Sequence, residues 1–164
     1  MIRTPLWLLA ATLSILSIPF PSTISSIHAQ EEREFTKADL QDLYVSFLKR
    51  EGYNPSIDDD GDVAFKSEGK NYFISIDEKD PQFFRLVFPA FWKIEDESER
   101  KAVSQAALHS STVTKCAKVF VVKDNVWASI ELFLAKPSDF EPIFSRSLSA
   151  LRAGVKNFAE KMQQ

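Results

Sequence analysis

The chain has 164 residues, of which 45% are hydrophobic and 26% are charged. This composition is typical of a single globular domain and excludes a disordered or fibrous protein. With 20 basic and 23 acidic residues, the formal net charge is −3. The acidic balance argues against nucleic-acid binding, because non-specific binding to phosphates requires a basic surface.

Residues 1–29 have the three parts of a secretory signal peptide. Arg3 gives a basic start, an apolar run of 13 residues follows over 6–18, and Ala29 ends the segment with a small residue. That run is shorter than the ~20 residues needed to span a membrane. We therefore expect cleavage near Ala29 and export to the periplasm or the cell exterior, with a retained membrane anchor as the alternative. The mature chain, from Gln30, keeps 19 basic and 23 acidic residues.

Cys116 is the one cysteine of the chain, so an intramolecular disulfide is excluded. It stands at the entrance to an apolar stretch, where a small buried residue is expected. An intermolecular disulfide and a reactive thiol are the alternatives.

The mature chain is predicted to begin with a flexible, charged lead over 30–35, followed by one domain over 36–164. Thr36 and Asp39 have the spacing of a capping box, which predicts the start of a helix. Apolar residues then recur at helical spacing as far as Gly52, a residue typical of helix ends. They are Leu40, Leu43, Tyr44, Phe47 and Leu48.

Three or four short strands are predicted between Ser56 and Phe88. Turn sequences at Gly61, Gly69 and Pro81 separate stretches in which apolar and polar residues alternate. This pattern is typical of an antiparallel meander.

A second helix is predicted after Trp92, with acidic residues at its start. It has a stripe of small apolar residues that predicts close contact with the sheet: Ala102, Val103, Ala106 and Ala107. A hairpin of two strands follows, and a long final helix starts at Pro137. Gly154 interrupts this helix, so we expect either a close crossing by a neighbouring element or a bend.

The predicted fold class is α+β. One antiparallel sheet, made of a β-meander and a hairpin, packs with three helices in the order α-β(3–4)-α-β2-α. The chain resembles the YbjN-like domain family, whose fold is related to type III secretion chaperones, over about residues 36–162. The runs that carry the resemblance are EGYNPSIDDDGDVAFKSEGKNYFISI, DPQFFRL, PAFWKIE, KVFVVKDNVWASIELFL and FEPIFSRSLSALRAGV.

The resemblance implies a bacterial homodimer that binds other proteins, in a family described as sensory transduction regulators. That description names no chemistry, and we expect neither enzymatic activity nor a cofactor. Secretion chaperones act in the cytoplasm, whereas this chain has an export signal, which argues against loading of a secretion apparatus. The expected function is thus an exported protein-binding module, chaperone-like or regulatory, with an unidentified protein or peptide as partner.

Four aromatic residues are candidates for contact with that partner. Phe91 and Trp92 fall at the end of a strand, and Trp127 and Phe133 alternate with core residues on a face that also carries Glu131. Aromatic residues at such positions are typical anchors for a protein partner.

The alternative is a calcium- or small-ligand-binding envelope protein that uses the acidic hairpin. Asp58, Asp60 and Asp62 have the spacing of the first three ligands of an EF-hand loop. Position six, however, is Val63 instead of Gly, and position twelve is Gly69 instead of Glu. A solvated hairpin turn explains the same residues.

The sequence contains none of the common catalytic motifs. His109 is the one histidine outside the predicted signal peptide, and the chain contains no GxSxG or HExxH motif. A Cys–His hydrolase formed by Cys116 and His109 is the remaining enzymatic alternative.

Overall fold

Residues 35–164 are described by a computed structural model of the chain. The predicted signal peptide and residues 30–34 of the predicted lead lie outside the described residues. Phe35, the last residue of that lead, packs against the hydrophobic core. Within 35–164, no helix combines the length and apolar character that crossing a membrane requires.

The helices begin where local sequence signals place them, with one exception. They are α1 (Lys37–Arg50), α2 (Glu97–Val113), a 3-10 helix (Pro137–Ile143) and α3 (Phe144–Met162). The capping box is confirmed, since Thr36 and Asp39 each accept a hydrogen bond from the backbone N–H of the other. The exception is the final helix, because Pro142 has no N–H to donate and its ring obstructs a regular α-helix. The α-helical part begins at Phe144.

The predicted meander and hairpin belong to one six-stranded antiparallel sheet. Its strands are β1 (Ser56–Ile57), β2 (Val63–Ser67), β3 (Lys70–Ile74), β4 (Phe83–Lys93), β5 (Ala117–Val122) and β6 (Asn125–Phe133). The spatial order is β1-β2-β3-β4-β6-β5, so β4 and β6 join the two halves. The α+β fold class and the order of elements are confirmed.

The helices lie against one face of the sheet. Alternate residues of the strands, including Tyr72, Leu86 and Ile130, are buried in the same core as residues from α1, α2 and α3. Phe84 on β4, for example, stacks on Phe140 of the 3-10 helix with ring centroids 5.6 Å apart. The residues between these buried ones point to the other side of the sheet.

A bulge in β4 brings Phe91 to the helix side of the sheet, next to Trp92. Between Phe88 and Trp92, β4 advances four residues while β6 advances two. Ala90 lies within the bulge and has a positive φ of 45°. As a result, Phe91 and Trp92 both contact Phe158 of α3, at 5.3 and 5.5 Å between ring centroids.

Gly154 lies where α2, α3 and β5 meet. The Ser110 hydroxyl of α2 donates to the Gly154 carbonyl at 2.6 Å, and a Cβ at position 154 would lie 3.1 Å from Cβ of Ala117. This confirms the close crossing. The small-residue stripe of α2 is buried as expected except at Ala102, which is exposed because it faces away from both α3 and the sheet.

Candidate functional site

No helix within residues 35–164 covers the sheet face opposite the core, and at the centre of this face Val87 and Ser129 are buried beneath neighbouring side chains. We call this surface the open face. It consists of Phe73 on β3, Phe83, Arg85 and Val87 on β4, Lys118 and Phe120 on β5, and Trp127, Ser129, Glu131 and Phe133 on β6. Its aromatic residues are not among those that pack against the core.

Two groups of aromatic side chains lie on the open face. Phe73 and Trp127 meet edge to face, with ring centroids 6.1 Å apart, and Trp127 is also opposite Phe120 in the β5–β6 register. At the other end of β6, Phe83 and Phe133 lie 5.5 Å apart. Phe133 is 81% exposed, which is unusual for so large an apolar side chain.

Charged side chains lie between the two aromatic groups. Glu131 is 3.0 Å from the Lys118 ammonium and 3.3 Å from Nε of Arg85. The Ser129 hydroxyl donates to the Glu131 carboxylate at 2.8 Å. Nε of Arg85 is buried and makes no directed hydrogen bond, so Arg85 contributes to this group mainly through its charge.

The environment of Glu131 keeps its carboxylate ionised. Burial alone raises the pKa of Glu131, but the hydrogen bonds from Lys118 and Ser129 and the charges of Lys118 and Arg85 outweigh it. The pKa therefore lies below its ordinary value. Two cations thus share one carboxylate at the centre of the open face.

The structure separates the four aromatic residues that the sequence selected. Trp127 and Phe133 lie on the open face, at opposite ends of β6. Phe91 and Trp92 lie on the helix side of the sheet, and the Trp92 indole N–H donates to Glu99 of α2 at 2.9 Å. The four residues therefore do not form one continuous surface.

Other residues of the open face were not selected from the sequence. Phe73, Phe120, Arg85 and Lys118 each alternate with a buried neighbour, so the period-two pattern of β3, β4 and β5 carries a signal for their orientation. What the pattern does not indicate is that β4 and β6 are neighbours. That pairing brings the separate residues onto one surface.

The acidic hairpin uses its carboxylates to hold its own backbone. Asp58 Oδ1 accepts from the N–H groups of Asp60 and Asp62, and Asp62 Oδ1 accepts from the N–H of Ile76 at 2.8 Å. Burial raises the pKa of Asp62, opposed by the hydrogen bond from Ile76. Among residues 35–164, no group of three or more His, Cys, Asp or Glu side chains is placed to hold a metal ion.

Cys116 is exposed, so the prediction that it is buried is wrong. It precedes β5 and has a positive φ of 60°, and the neighbouring Ala117 takes the buried position at the start of the strand. His109, on α2, is exposed as well.

Comparisons with known proteins found no relative. No protein-family model matches the chain, and no match was found among curated proteins or solved structures. The residues of the open face therefore carry the functional argument.

Proposed function

We propose that the protein is a non-enzymatic, exported protein-binding module, chaperone-like or regulatory, as its resemblance to YbjN-like domains implies. One observation supports this proposal: aromatic side chains lie on a sheet face that no described helix covers. Clusters of apolar side chains at the surface mark interaction sites in soluble proteins. Trp and Arg, both found on this face, are enriched among the residues that dominate binding energy.

Binding through the face is favoured over strand addition at the β5 edge of the sheet. At the centre of β5, the backbone N–H and C=O of Val119 both bond to the hydroxyl of Ser111 on α2, at 2.9 and 3.2 Å. These are the groups that a new strand would need. At this edge of the sheet, strand addition is thus disfavoured.

The proposal includes the homodimer that the resemblance implies and export after cleavage near Ala29. Light scattering on the purified protein tests the first, with a mass twice that of one chain expected. N-terminal sequencing of protein recovered outside the cytoplasm tests the second, with Gln30 as the expected first residue.

The calcium alternative has no observation in its favour, because the Asp58 and Asp62 carboxylates accept hydrogen bonds from backbone N–H groups.

Affinity capture with paired variants tests the proposal. Tagged protein is used as bait in the native envelope fraction, and bound proteins are identified by mass spectrometry. The double variant Trp127→Ala, Phe133→Ala removes an anchor from each aromatic group. The control is Leu108→Ala, which truncates a 70% exposed apolar side chain on α2, away from the open face.

We expect a partner enriched by wild type and by Leu108→Ala to be lost from the double variant. Both variants change only exposed or half-exposed residues, so a native circular dichroism spectrum is expected for each. Equal enrichment by all three proteins, with folding intact, would contradict the proposal.

A further inference from the structure

The open face has charged side chains between two aromatic groups. Trp127 and Phe133 are six residues apart on β6, which corresponds to ~20 Å along an extended strand. Glu131, Arg85 and Lys118 lie between them. A partner that covers the face must place an apolar group at each end and a polar or charged group in the middle.

The charge between the aromatic groups favours an acidic partner. Arg85 and Lys118 share the single carboxylate of Glu131, and Lys66 on β2 points to the same side of the sheet. The face is thus locally positive although the whole chain has a net charge of −3. A second copy docked face to face would set one positive region against another, which is unfavourable. A carboxylate from a different protein would complement it.

The backbone of the sheet favours a helix over an extended segment. In a sheet the backbone N–H and C=O groups point sideways toward the neighbouring strands, so those of β4 and β6 are not available to a partner lying on the face. An extended segment buried against the aromatic rings would leave its own backbone groups unpaired, which is costly. A helix satisfies its backbone internally, and ~13 helical residues span the ~20 Å between Trp127 and Phe133.

We propose that the open face binds an acidic amphipathic helix of a partner protein. The helix places apolar residues on the Trp127 and Phe133 groups and a carboxylate near Arg85 and Lys118. This inference rests on the proposed protein-binding function and specifies the chemistry of the partner.

Two synthetic peptides test the inference. Each is an amphipathic helix of about 18 residues with a leucine stripe; one has Glu at the centre of the stripe and the other has Lys. Fluorescence anisotropy measures their affinity for wild-type protein, for Lys118→Glu and for the control Lys101→Glu. Lys118 lies on the open face and is 58% exposed, whereas Lys101 is an exposed residue of α2.

We expect wild type and Lys101→Glu to bind the Glu peptide about tenfold more tightly than the Lys peptide, a difference of ~1.4 kcal/mol. In Lys118→Glu this preference is abolished or reversed. Equal affinity of wild type for the two peptides, or a preference that Lys118→Glu leaves unchanged, would overturn the acidic-helix inference. So would a dimer that dissociates in Trp127→Ala, since a second copy would then occupy the face. The capture experiment is independent, because it reports whether Trp127 and Phe133 bind any native partner.

Discussion

At the scale of single residues, Glu131 links the stability of the protein to its candidate site. Its carboxylate receives hydrogen bonds from Lys118 and Ser129 on the open face. Because its pKa is lower in the folded protein than in the unfolded chain, it stabilises the fold above the unfolded pKa. That stabilisation is lost as the pH falls through the folded pKa.

Glu131→Gln is therefore expected to lower the free energy of unfolding by about 1 kcal/mol at neutral pH, as for other partly exposed ion pairs. The difference from wild type should disappear at a pH well below the folded pKa of Glu131, where the wild-type carboxyl is protonated. Urea unfolding at the two pH values measures both quantities. Glu78→Gln, in an exposed loop, is the control and is expected to match wild type. A deficit of Glu131→Gln that stays constant with pH would contradict this account.

At the scale of the elements, the meeting of α2, α3 and β5 at Gly154 depends on the absence of a side chain. Gly154→Ala gains ~1 kcal/mol of helix propensity. It also places a Cβ 3.1 Å from Cβ of Ala117, and overpacking of this kind costs roughly 1–3 kcal/mol. We expect a net loss of about 1 kcal/mol in the free energy of unfolding, because the neighbours of the new methyl, Ala117 and Val119 on β5 and Ser110 on α2, are held in place by the sheet and the helix.

A double-mutant cycle separates steric crowding from other effects at this position. Ala117→Gly removes the methyl group nearest to position 154. The double variant should lose less stability than the sum of the two single variants, as measured by chemical denaturation. Strict additivity would show that crowding against Ala117 is not the cause.

The sequence predicts the elements better than it predicts their irregularities. Helical spacing and the capping box of Thr36 placed α1, and period-two alternation placed the strands. The bulge between Phe88 and Trp92 was not predicted, because it arises from pairing with β6, which is more than 30 residues further along the chain. For the same reason, alternation alone assigns Phe91 to the wrong side of the sheet.

Local sequence patterns also did not predict contacts between residues that are far apart in the chain. Arg152 of α3 pairs with Glu68 in the β2–β3 turn at 2.7 Å, and these residues are 84 positions apart. The exposure of Cys116 likewise depends on the backbone turn that precedes β5. Local sequence carries no signal for either arrangement, because both are fixed by how α3 and β5 lie against the rest of the fold.

At the scale of the whole molecule, the central feature is that the helices lie on one side of a six-stranded sheet. The described chain thus has two layers, with a helix-covered core on one side and the open face on the other. Alternation within β6 alone indicated that Trp127 and Phe133 lie on the face opposite the core. The open face as a unit follows from the strand order, because β3, β4, β6 and β5 are neighbours in space.

The most direct test of a protein-binding open face is hydroxyl-radical footprinting of the protein with and without its captured partner, read by mass spectrometry. Trp127, Phe133 and Phe73 should be oxidised several-fold more slowly in the complex. Trp92, on the helix side, and Leu108, on α2, should be oxidised at the same rate in both samples. Protection of Trp92 or Leu108 while Trp127 and Phe133 stay accessible would contradict the account.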